Sequence, residues 1–109
     1  MHENWADHLL LYFFHMKATS AKEVGRFEDI PNIGPAMARD FALLGLRTPS
    51  ELRKKDPLRL YKEMCRISGK RQDPCVLDTY MAAIDFMNGA PARPWFSYTK
   101  IRKSRYADI

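Results

Sequence analysis

Apolar residues recur three and four positions apart along most of the chain, with start and stop signals between the groups. Met37, Ala38, Phe41 and Leu44 share one helical face, and Leu60, Tyr61, Met64 and Ile67 share another. Val76, Leu77, Tyr80, Met81, Ile84 and Met87 mark the longest helix, and Val24 with Phe27 fits a short one earlier in the chain. Ser20 with Glu23, and Thr48 with Glu51, have the spacing of capping boxes, in which side chains satisfy the free amides of a first turn. Asp56-Pro57 and Asp73-Pro74 pair a capping carboxylate with a proline that needs no amide partner. Gly45, Gly69 and Asn88-Gly89 stand where helices should stop. No stretch alternates with period two for long enough to form a strand. The pattern predicts an all-α fold, a compact bundle of five or six short helices joined by tight turns.

Three regions follow. Residues 1–18 are expected to hold an N-terminal helix, spanning Trp5 to Met16, that is apolar nearly all round and would have to bury itself in the core or against a partner. Residues 19–89 form the main helical domain. Residues 90–109 form a basic, aromatic strap, since Pro91 and Pro94 keep the stretch from Ala90 to Phe96 out of regular helix.

Charge changes the picture more by its placement than by its total of +5. Residues 47–71 hold nine basic side chains (Arg47, Arg53, Lys54, Lys55, Arg59, Lys62, Arg66, Lys70 and Arg71) against three acidic ones. Arg93, Lys100, Arg102, Lys103 and Arg105 add a basic tail. A polyanion would be drawn to both regions, although helices also solvate their outer faces with such residues. The longest apolar run, Leu9 to Phe14, is too short to span a membrane, and Glu3 and Asp7 ahead of it are the wrong flank for export. The expected location is the cytoplasm, without membrane contact. Cys65 and Cys75 match no zinc spacing and read as a reduced pair, with a disulfide left open. His8 and His15 lack a third ligand, so no metal is expected from them.

The chemistry concentrates in FEDIPNIGPAMARDFALLGLRTPSEL, from Phe27 to Leu52. A short helix ends near Glu28, a proline-flanked turn reverses the chain, and Gly34 precedes a helix starting at Pro35. The first turn of a helix presents unpaired amides and the positive end of its dipole, which suits a phosphate. A glycine there removes the side chain that would block close approach. Such amides see every phosphate alike, so they position a protein on nucleic acid without reading bases.

Ile30-Pro31-Asn32-Ile33-Gly34-Pro35 with Ala38-Arg39 resembles the helix-hairpin-helix motif of DNA-repair proteins, particularly the hairpin of family X DNA polymerases. Gly45 to Thr48 and Glu51-Leu52 extend that likeness. A broader likeness takes in the hairpin, the Asp56-Pro57 helix, Tyr61, Cys65, Gly69 and the run from Arg71 to Asp78. It is similar to the pathogenicity-locus helix-hairpin-helix family, some of whose members carry the label mitomycin-resistance protein. The resemblance implies a helix-hairpin-helix (SAM-like) element that binds duplex or structured DNA without sequence preference, in DNA repair or damage resistance. It places the DNA contacts at Asn32, Ile33, Gly34, Ala36, Met37 and Arg39. It also implies a monovalent cation held by the main chain of Glu28, Ile30 and Ile33. Asn32 stands where the motif usually has its first glycine, and Asp40 where a basic residue is common, so weak phosphate affinity is expected of the hairpin alone.

No catalytic constellation or cofactor is expected. Asp73 reads as a helix cap, and Asp78, five residues on, does not share its face. Trp95, Phe96 and Tyr98 beside the basic tail have the composition of a base-stacking surface, but the simpler expectation is that they pin the strap to the core. The alternative to DNA binding is an adaptor whose N-terminal helix docks a protein partner or a second copy of the chain, with the hairpin purely structural.

Overall fold

The computed structural model of the chain describes residues 17–109, so the expected N-terminal helix at Trp5 to Met16, with His2, His8 and His15, lies outside the described residues. Among the described residues there are four α-helices: α1 (Pro35–Leu43), α2 (Pro57–Ser68), α3 (Pro74–Met87) and α4 (Thr99–Arg105). Four short 3-10 turns join them, at Ala21–Glu23, Phe27–Asp29, Pro49–Lys54 and Trp95–Tyr98. Among the described residues there is no strand, and the architecture is all-α.

The proline-capped starts work as the sequence predicts. Asp56 accepts from the Leu58 amide and Asp73 from the Cys75 amide, each at 2.9 Å. These contacts hold the Asp73 carboxyl below the usual carboxylate range. Gly69 ends α2 with φ of 72°, a left-handed backbone that costs glycine little.

The two capping boxes differ from expectation. Neither Ser20 nor Thr48 makes a side-chain cap. Glu23 instead receives the amide and hydroxyl of Thr19, and Glu51 receives the Arg47 amide, so each glutamate ties the chain one residue earlier than a box would. Both segments close as 3-10 turns. Val24 and Phe27 likewise fall outside a common helix: they flank a bend between two separate turns, and both pack on the core.

Helix α3 is the centre of the fold, with ten of its fourteen residues buried. It packs against α2, the Pro49–Lys54 turn, the Trp95–Tyr98 turn and α4. Aromatic contacts carry the core across to the first half of the chain. Phe41 of α1 sits between Phe27 and Tyr80, at ring separations of 5.2 and 5.5 Å. Ile30 and Ile33, also fully buried, seat the segment between Phe27 and α1 in the same core.

The C-terminal region is extended only over residues 90–94. From Trp95 the chain becomes helical, and Tyr98 is buried. Asp78 of α3 is fully buried and accepts from Thr99 Oγ1 and Arg102 Nε, each at 2.7 Å. Arg102, counted with the basic tail from sequence, is therefore a buried partner rather than a solvated charge.

Both cysteines are free thiols, and burial raises the pKa of Cys75. No helix among the described residues is long and apolar enough to cross a membrane.

Candidate nucleic-acid interface

The segment ahead of α1 is built by backbone hydrogen bonds at short range. The Phe27–Asp29 turn closes with the Ile30 amide on the Phe27 carbonyl at 3.0 Å, and the Ile33 amide follows onto the Ile30 carbonyl at 3.1 Å. Asp29 accepts from the amides of Gly25 and Arg26, both at 2.9 Å, which holds its carboxyl below the usual range. The leading helix of the expected hairpin is thus reduced to a single 3-10 turn. Asn32, at the tip, has φ of 74°. This is the left-handed conformation that asparagine tolerates better than most residues, so it can stand where a glycine is usual.

Gly34 has an extended backbone, φ −98° and ψ −174°, and a Cβ added there would meet nothing within 4 Å. Neither its conformation nor the protein's own packing requires glycine. The space that the missing side chain leaves open faces outward, at the start of α1.

Four of the six expected contact residues present amides in this opening. The backbone N–H groups of Asn32, Gly34, Ala36 and Met37 have no protein acceptor among the described residues. Pro35, between them, has no amide to satisfy. Those of Ala36 and Met37 lie in the first turn of α1, at the positive end of its dipole, an arrangement that favours an anion. Arg39 is exposed one turn further along the helix.

Ile33 leaves the set. Its side chain is fully buried, its amide is used by Ile30, and its carbonyl receives Lys17. Asp40 is half-buried, and burial raises its pKa against the opposing pull of Arg39.

The monovalent cation implied at Glu28, Ile30 and Ile33 does not fit. The Lys17 ammonium donates to the carbonyls of Glu28 and Ile33, at 2.7 and 2.6 Å, and the Ile30 carbonyl is taken by the Ile33 amide. The adjacent Ala18 amide donates to Asp29 at 2.7 Å, so residues 17 and 18 lie along the carbonyl side of the turn. Burial lowers the pKa of Lys17, while Asp29 and then Glu28 pull it back up. An ammonium in the protein's own chain serves those carbonyls, and the turn calls for no ion.

Replacing Lys17 by Met removes both charged hydrogen bonds, and hydrogen bonds to ionised groups are worth roughly 1.5–3 kcal/mol each when buried. With partial solvent access the expected loss is about 2 kcal/mol, or roughly 10 °C in melting temperature. A thermal melt within a degree or two of the parent would show that the lysine contributes nothing to the turn.

The extended strap reaches the same turn. Asn32 Nδ2 donates to the Arg93 carbonyl at 2.7 Å, and its Oδ1 accepts from the Trp95 amide at 3.2 Å. One side chain therefore clamps residues 61 and 63 positions away onto the tip. Neither this clamp nor Lys17 is visible as a local pattern in the sequence.

Of the nine basic residues in 47–71, two are committed internally: Arg53 Nε donates to the Met87 carbonyl at 2.9 Å, and Arg66 pairs with Glu63. The other seven remain exposed. Helix α2, which carries Arg59 and Lys62, packs against α1, so the basic stretch and the turn belong to one body.

Fold and site together define a small all-helical protein whose proline-flanked turn leaves backbone amides unpaired while a lysine serves its carbonyls. Residues 20–104 match the family model described as pathogenicity locus. The chain belongs to the pathogenicity-locus family. It is similar to the mitomycin resistance protein McrB of Streptomyces lavendulae, with 47% identity over 72 residues, covering 66% of this chain and 69% of that protein. No solved structure matches the chain.

Proposed function

We propose that this protein binds DNA through backbone phosphates, without reading sequence, and serves resistance to DNA damage as a binding protein with no chemical step of its own. The observation that carries the reading is the group of unpaired amides at Asn32, Gly34, Ala36 and Met37, gathered at the open start of α1. On this reading the turn and α1 act as a helix-hairpin-helix element, with the phosphate over Gly34 and Arg39 adding charge. Lys17 leaves the amides free to face outward by satisfying the carbonyls behind them. The exposed basic residues of 47–71 supply the longer-range attraction that a hairpin with Asp40 in place of a basic residue lacks. The relative's name, a mitomycin resistance protein, supports the link to damage resistance.

Fluorescence anisotropy of labelled duplexes tests the reading. Two duplexes of unrelated sequence should bind equally. For about four neutralised phosphates, affinity should fall about a hundredfold between roughly 50 and 200 mM salt. An absence of binding at the lower salt would remove DNA as the partner and leave a protein-docking role for the same surface, and binding indifferent to salt would overturn the phosphate contact.

A further inference from the structure

We propose that the strap adds a base-stacking site to the turn, so that the preferred ligand is DNA with an unpaired base next to the bound phosphate. This rests on the phosphate reading above and narrows its substrate. The exposed aromatic pair does not follow from slack in the chain. On one side the Asn32 side chain holds the Arg93 carbonyl and the Trp95 amide. On the other, Pro94 accepts both the amide and hydroxyl of Ser97, at 3.0 and 2.7 Å. Beyond that, Tyr98 is buried, and Thr99 and Arg102 are anchored on Asp78.

Trp95 and Phe96 are thus fixed at both ends, yet they remain 37% and 63% exposed. Their rings meet at 5.8 Å and 82°, edge against face. Such a contact leaves most of Phe96, the more exposed of the two, open to a flat partner.

The occupant follows from position and charge. Trp95 is tied to Asn32, whose own amide belongs to the proposed phosphate site. The backbone that carries the aromatics is therefore one side chain and one hydrogen bond away from Asn32, which puts a base-stacking surface next to the proposed phosphate site. From Gly89 to Arg105 the chain holds five basic residues and no acidic one, and all but Arg102 are exposed. A polyanion carrying flat aromatic groups complements that surface, and stacking tolerates any base, in keeping with indifference to sequence. In a blunt duplex the bases are stacked on one another; at an overhang, gap or distorted lesion one is free.

The test compares a blunt duplex with the same duplex bearing a short single-stranded overhang, by anisotropy, for the full chain and its variants. The parent should prefer the overhang by about tenfold, the scale of one stacked base. Phe96→Ala should bring that ratio close to one while keeping the blunt-duplex affinity, and Phe96→Tyr should restore it. A side chain this exposed is removed without disturbing the core, which a thermal melt would verify. A parent that binds both DNAs equally, or a Phe96→Ala variant that keeps the preference, overturns the stacking site and leaves the phosphate reading standing. A parent that binds neither DNA overturns both. Self-association lost in Phe96→Ala with the DNA ratio unchanged would assign the aromatics to a protein interface instead.

Discussion

A Gly34→Glu variant should melt within a few degrees of the parent and bind DNA about a hundredfold more weakly. The two halves of this expectation come from separate observations. Stability is spared because Gly34 has an extended backbone open to any residue and a Cβ there meets nothing within 4 Å. A carboxylate at the start of α1 even interacts favourably with the helix dipole, by roughly 0.3–1 kcal/mol. Binding is lost because the same carboxylate covers the unpaired amides and repels the phosphate that would lie on them. Charge-assisted hydrogen bonds contribute roughly 1.5–3 kcal/mol each, and about 1.4 kcal/mol is tenfold in affinity, so two orders of magnitude is a moderate expectation. Gly34→Ala adds bulk without charge and should fall between the two. Anisotropy and a thermal melt on the three proteins decide the matter: undiminished binding by a folded Gly34→Glu variant would place the phosphates elsewhere.

The parts of this molecule that were legible in the sequence are those governed by neighbours. The starts of α2 and α3 rest on Asp-Pro pairs whose carboxylates reach two residues ahead, and the all-α class follows from spacings of three and four. The turn itself was legible for the same reason, because Pro31 and Pro35 act on the backbone where they stand.

What completes the site depends on residues far apart in the chain. Lys17 reaches Ile33 across 16 positions, Asn32 reaches Arg93 across 61, and Asp78 reaches Arg102 across 24. None of these pairs has a periodic signature, and each side chain has an ordinary local reading as a surface lysine, a turn asparagine or a helix-face aspartate. The 3-10 turns escaped for a related reason. Ser20 and Thr48 have the spacing of capping boxes, but segments of three and six residues close before a second α-helical turn can form.

Asp78→Ala should be the most destabilising single change outside the apolar core. The carboxylate is fully buried and answers both the Thr99 hydroxyl and the guanidinium of Arg102, a residue itself only 7% exposed. Removing one partner of a buried pair strands the other charge, at a cost of about 3–5 kcal/mol, or roughly 12–25 °C in melting temperature for a domain near this size. The stranded charge, more than the lost attraction, makes the change severe. A double variant, Asp78→Leu with Arg102→Met, should therefore recover most of the loss, since matched apolar side chains often replace a buried pair at little cost. Because the pair anchors α4 directly behind the Trp95–Phe96 segment, the effect should also reach the interface. Below its melting temperature, Asp78→Ala should lose preference for the overhang before it loses affinity for blunt duplex, since the strap is freed at one end while the turn keeps Lys17 and its amides. A variant that melts with the parent would show that the pair contributes nothing to stability. One that melts early but keeps its overhang preference would show that Asn32 alone is enough to seat the aromatics.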